Sequence, residues 1–145
     1  MTKPLHIVWG FLFVFALAGG CKTASQTPST GIQIVGSWKV LSMKFPDHPA
    51  GQAVQKQSDA ILPSLRYVFG ADSSYTIITE KRPDGVPGRW RNGPDPDSYI
   101  VQSGTEVANL IRCSTDSTTC TDCIRCFTYN PEIGTITFEI QRIKP

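Results

Sequence analysis

Tyr67-Val68-Phe69-Gly70-Ala71-Asp72-Ser73-Ser74-Tyr75-Thr76-Ile77 is the stretch that decides the fold. Large apolar side chains fall on alternate positions, Tyr67 with Phe69 and Tyr75 with Ile77, on either side of a cluster of small, turn-forming residues. A period of two marks an extended chain with one buried face, because successive side chains of a strand point to opposite sides. Gly, Asp and Ser reverse the chain for separate reasons: glycine tolerates left-handed φ, and Asp and Ser side chains bond backbone amides two residues on. The stretch reads as a hairpin.

Outward from this hairpin the pattern repeats. Strands are expected at 32–43, 65–69, 75–81, 87–91, 98–103, 106–113, 124–129 and 135–143, with turns at 70–74, 82–85, 92–97 and 130–134. The segment 45–63 departs from it, and 53–62 is expected as a short helix, stopped by Pro63, over one end of the sheet. Eight short strands in about 115 residues, joined by tight turns, predict an all-β fold: a small up-and-down antiparallel β-barrel rather than a sandwich with longer crossovers. The interior of such a barrel is either packed solid by side chains or just wide enough for one small ligand.

The chain divides into three parts: 1–20, 21–31 and 32–145. Lys3 is followed by a run without fixed charge from Leu5 to Gly20, the order of a cleaved export signal. Its apolar part, about 15 residues, is short of the roughly 20 that span a bilayer permanently. The run ends in Leu17-Ala18-Gly19-Gly20-Cys21, which resembles the lipobox of bacterial lipoproteins. The resemblance implies a diacylglyceryl group on the Cys21 thiol, cleavage before it, and anchorage in the cell envelope, with the outer membrane or cell surface favoured over the inner membrane. Each buried acyl CH₂ contributes about 0.8 kcal/mol, so two or three chains form a lasting anchor. Residues 22–31 carry no apolar side chain larger than alanine and read as a tether with a reach on the order of 35 Å.

A formal charge of +2, with both signs mixed along the chain, lacks the basic stripe that nucleic-acid binding requires. The remaining chain, about 125 residues, is long enough for one core and not for two, and a monomer is expected.

Val35-Gly36-Ser37-Trp38-Lys39-Val40 looks like the Gly-x-Trp opening of the lipocalin and calycin families. The hairpin at 67–77, followed by Gly88-Arg89-Trp90, is similar to small lipocalin-like lipoproteins. The resemblance implies that Trp38 plugs the closed end of the barrel beneath an arginine of the last strand. Ile136, Phe138, Ile140 and Arg142 share one face by period two, which makes Arg142 that arginine. A guanidinium over an indole gains about 0.5 to 2 kcal/mol. The family also implies a small hydrophobic ligand, for which Tyr67, Phe69, Tyr75, Ile77, Trp90 and Phe138 are the inward candidates. The same rings equally serve as solid core, the commoner outcome in small barrels. The segment 45–63, the proline-rich turn 92–97 and the cysteine cluster depart from the family pattern.

Cys113, Cys120, Cys123 and Cys126 stand as Cys-x6-Cys-x2-Cys-x2-Cys across one hairpin loop. Such spacing suits a metal site in a reducing compartment, but an exported chain favours disulfides. Four cysteines allow three connectivities. A Cys113–Cys126 bridge would close the loop at its neck with Cys120–Cys123 inside it, and a four-thiolate metal site is the alternative. No cofactor is expected. Beyond the leader the chain has one histidine, His48, in an expected loop, and no nucleophile elbow, zinc-protease helix or phosphate loop, so no enzymatic activity is expected. Asp84, Asp95, Asp97, Asp116 and Asp122 fall in expected turns, where their carboxylates bond backbone amides. Three functions follow from these residues: a tethered carrier of a small hydrophobic ligand, an envelope module that binds a protein or glycan through its loops, and a cysteine-based metal or redox site.

Overall fold

The computed structural model describes residues 31–117 and 119–145. The leader, Cys21 and the tether up to residue 30 lie outside the described residues. The elements are β1 (Gly36–Lys44), α1 (Pro49–Ile61), a single 3-10 turn (Leu62–Ser64), β2 (Arg66–Phe69), β3 (Ser74–Thr79), β4 (Arg82–Asn92), β5 (Ser98–Ser103), β6 (Asn109–Ser114), β7 (Cys123–Asn130) and β8 (Gly134–Arg142). Each strand pairs antiparallel with the next, and β8 pairs back to β1, so the sheet closes into an eight-stranded barrel with one short helix after the first strand. Closure leaves no unpaired sheet edge.

The deciding hairpin forms in register, Phe69 opposite Tyr75 and Tyr67 opposite Ile77. Its turn is held by Asp72, whose Oδ1 accepts from the Ser74 N–H at 3.0 Å and from the Ser74 hydroxyl at 2.6 Å. Most strand ends shift by one or two residues, β3 ending at Thr79 and not at residue 81 because Glu80 and Lys81 make the turn to β4, and four boundaries differ in kind from the alternation pattern. Residues 32–35 are not strand; they cross the end of the barrel as a cover. There the Ile32 N–H donates to Asp97 Oδ1 at 2.6 Å, and the buried Ile34 side chain joins the core. β4 starts at Arg82, so residues 82–85, Asp84 included, belong to the strand and not to a turn. Between Ile77↔Val86 and Thr79↔Arg82 the pairing slips, and Gly85 takes φ +79° inside this bulge. A bulge absorbs the Pro-Asp-Gly sequence that would otherwise break a regular ladder. Residues 106–108 are loop, with Val107 largely exposed to solvent.

The fourth difference is the helix, which begins at Pro49, four residues earlier than expected. His48 is its N-cap: Nδ1 accepts from the Gly51 N–H at 3.3 Å, which leaves the proton on Nε2 to donate to the Ile133 carbonyl at 2.8 Å. The histidine is therefore a fastener between α1 and the β7–β8 turn. Proline at the first helical position was the available signal for this start. Gln55 completes the strap, donating to the Met43 carbonyl at 2.8 Å and accepting from the Phe45 N–H at 3.1 Å.

One core lies inside the barrel, built from Trp38, Val40, Phe69, Trp90, Ile124 and Ile140 among others. β1 feeds it unevenly. A bulge between Val40 and Ser42 changes which side the odd residues face, so Met43 turns inward together with Trp38 and Val40.

Candidate ligand cavity

The up-and-down order sends alternate strand ends to opposite poles. The cover 32–35, the 70–73 turn, the 93–97 loop and the cysteine loop gather at one pole, where β1 begins and β8 ends. The α1 connection, the 104–108 loop and the β7–β8 turn gather at the other.

The first pole is closed by Trp38 and Arg142. They are opposite each other in the β1–β8 register, and the guanidinium carbon lies 4.4 Å from the centre of the indole. Arg142 also donates to the carbonyls of Val35, at 2.8 Å, and of Gln33, while the Trp38 indole N–H donates to the Ile34 carbonyl at 2.7 Å. Three successive carbonyls of the cover are thereby held. Gly36 makes this approach feasible: its φ is +136°, and a Cβ there would strike the guanidinium. On the far side the Tyr99 hydroxyl donates to the Ile32 carbonyl at 2.6 Å. Burial, and then the nearby Asp97 carboxylate, push this hydroxyl up to about 12. The 93–97 loop thus serves to pin the cover, and Asp95 makes an exposed ion pair with Arg112 at 3.1 Å.

The six inward candidates divide into two levels. Phe69 and Trp90 belong to the closed half, edge to face with ring centres 6.0 Å apart, and Trp90 donates from its indole to the Gly70 carbonyl at 2.8 Å. Tyr99 continues this layer, 6.0 Å from Trp90. These rings are core. Tyr67, Tyr75, Ile77 and Phe138 line a cavity of about 260 Å³ in the other half of the barrel, Tyr75 and Phe138 being core residues as well. Tyr67 is the hinge of this wall, 5.9 Å from Tyr75 and 6.1 Å from Phe138 between ring centres.

Sequence reading missed Met43, Val101, Ser103, Ile111 and Thr128 in the same lining. Alternation along β5 pointed to Val101 and Ser103; only the bulge reveals Met43. Glu106, Asn109 and Tyr129, all exposed, mark the mouth at the second pole. Burial pushes the Tyr67 hydroxyl up to about 12, and burial together with Tyr67 raises Tyr75 well above the ordinary range. Both are neutral donors throughout the physiological range.

The cysteines pair as Cys113–Cys126 and Cys120–Cys123. Cys113 and Cys126 are opposite in the β6–β7 register with Cα atoms 4.1 Å apart, which seats the bridge at the neck of the loop. With all four sulfurs in disulfides there is no thiolate set for a metal. The loop is fastened to the outer wall by Glu139, which accepts from Thr119 Oγ1 at 2.5 Å and from Arg125 Nη2 at 3.0 Å. These bonds hold the Glu139 carboxyl below the usual carboxylate range. Asp122 makes an ion pair with Lys144 at 2.9 Å.

Fold and cavity together define a closed, antiparallel eight-stranded barrel, plugged at one pole and open at the other. The chain matches no protein-family model, no curated protein and no solved structure.

Proposed function

We propose that this chain is an exported, lipid-anchored, lipocalin-like carrier that holds a small hydrophobic ligand in the cavity beside Tyr67 and Phe138. The cavity is the observation that carries the reading: a mainly apolar-walled space within a barrel whose other half is occupied by the rings of Phe69, Trp90 and Tyr99. At about 260 Å³ it lies just under the usual range for small-molecule pockets. The lipobox at 17–21 supplies the anchor, and the described chain enters at the plugged pole. A tether leaving from that pole lets the mouth face away from the membrane. In this reading the protein is a monomer that binds and does not catalyse: hydroxyls and aromatic rings line the cavity, and its one charged side chain, Glu106, stands at the mouth.

Native mass spectrometry of protein purified from its own membrane, combined with displacement of an apolar fluorescent probe, tests the reading. A retained small molecule that the probe displaces supports it. Absence of saturable probe binding removes it. Acylated Cys21 in the mature N-terminal peptide is the separate test of the anchor.

A further inference from the structure

The cavity is apolar in most of its wall but carries a small group of hydroxyls. Thr128 Oγ1 is the one fully buried side-chain polar atom without a hydrogen-bond partner among the described residues. Thr128 lines the cavity, as do Ser103 and Tyr75, which are 8% and 4% exposed, and Tyr67. Among the described residues none of these three hydroxyls has a hydrogen-bond partner within the protein, whereas the buried Tyr99 hydroxyl, outside the cavity, has one at 2.6 Å. An unpaired buried hydroxyl is costly, and native proteins rarely keep one without a partner. Thr128 is the one such group; the Tyr67, Tyr75 and Ser103 hydroxyls, on β2, β3 and β5, line the same cavity, so all four converge on whatever occupies it.

The charge of the lining narrows the occupant. Among the described residues no Lys, Arg or His lines the cavity, and the sole charged side chain of the lining is Glu106 at the mouth. A carboxylate or phosphate brought inside would be desolvated without a cation and would pass an anion on entry. Burial keeps both tyrosines protonated, so the site offers neutral donors. Size narrows it further: a cavity of about 150 Å³ takes benzene, so about 260 Å³ takes on the order of ten non-hydrogen atoms.

Resting on the carrier reading above, we infer that the ligand is a compact, uncharged molecule with an ester, ketone or similar acceptor, gripped by Tyr67, Tyr75 and Thr128, and is not a fatty-acid anion.

Methyl octanoate and nonanoate, which share their carbon and oxygen count, separate these chemistries, and naphthalene serves as a ligand without an oxygen acceptor. Each is titrated calorimetrically at neutral pH into the full-length chain in lipid nanodiscs, with protein-free nanodiscs as the blank. The ester is expected to bind at least about 10-fold more tightly than the carboxylate. Tyr67→Phe, Tyr75→Phe and Thr128→Val, which keep side-chain volume, are each expected to weaken the ester by about 2- to 10-fold, the worth of one hydrogen bond. They should leave naphthalene unchanged. Nonanoate binding as tightly as the ester, or an ester affinity untouched by all three substitutions, overturns the inference. Naphthalene binding without ester binding overturns it while the carrier reading survives; failure of both ligands to bind removes the two together.

Discussion

The closure of the barrel is open to a direct energetic test through Trp38 and Arg142. Trp38 is 2% exposed, so Trp38→Ala leaves a large hole at the plugged pole and is expected to cost about 3 to 5 kcal/mol, the usual range for a buried large aromatic. It also strips the Ile34 carbonyl of its donor. Arg142→Ala removes the stacking at 4.4 Å and the bonds to two cover carbonyls, for an expected loss of about 2 to 3 kcal/mol. If the guanidinium is held against the indole as the geometry has it, the losses are not additive. The double variant should be more stable than their sum by about 0.5 to 2 kcal/mol, the range for a cation over an aromatic face. Equilibrium urea unfolding under oxidising conditions, followed by tryptophan fluorescence and far-ultraviolet circular dichroism, measures all four corners of the cycle. Strict additivity would refute the stacking account, and an unchanged midpoint for Trp38→Ala would refute the plug itself.

Removal of the neck disulfide by Cys113→Ser with Cys126→Ser should cost about 3 kcal/mol by loop-closure entropy over its 13-residue separation. Opening Cys120–Cys123, separated by 3, should cost nearer to 2 kcal/mol. Urea midpoints of the two double variants check the order. The buried tyrosines give an alkaline signature. Tyr67 and Tyr99 titrate near 12 when folded and near 10 when unfolded, so the folded state holds more protons between these values and stability falls as pH rises through them. Each contributes up to about 1.4 kcal/mol per pH unit in that window; stability that stays flat from pH 10 to 12 would contradict their burial. Glu139 acts in the opposite direction. Its lowered pKa gives stability that is complete above the ordinary carboxylate range and is lost as acid protonates it, so Glu139→Gln should flatten the acid limb of the stability profile.

The barrel was legible in the sequence because its strands are half buried: one face meets the core, the other meets water, and a period of two results. Periodicity put Arg142 on the inward face of the last strand, and the resemblance to the Gly-x-Trp families supplied Trp38 as its partner; the two meet because Trp38 and Val40 in β1 face Arg142 and Ile140 in β8 without interruption. Cysteine order along one hairpin was enough to suggest a bridge at the neck, but not to exclude the other pairings. What stayed hidden was whatever breaks periodicity. The bulge after Val40 turns Met43 into the cavity against the count of residues. The bulge at Gly85 carries β4 through a Pro-Asp-Gly run that has the composition of a turn. Ile32 and Ile34 alternate like a strand, yet their partners are side chains of Asp97, Tyr99 and Trp38, and long-range polar contacts of that kind leave no local pattern. The division of the six inward side chains, five rings and Ile77, between the closed half and the cavity wall was hidden as well. It depends on height along the barrel, which register sets and composition does not.

Titration of naphthalene, followed by its fluorescence anisotropy, into the unaltered chain and into Ile136→Trp establishes whether a ligand sits inside the barrel. Ile136 lines the cavity, and an indole at that position fills much of about 260 Å³. Saturable one-to-one binding that disappears in Ile136→Trp and persists in Phe127→Ala, a change on the outer wall, is the expected result. Equal binding by Ile136→Trp and the unaltered chain would contradict an internal ligand site.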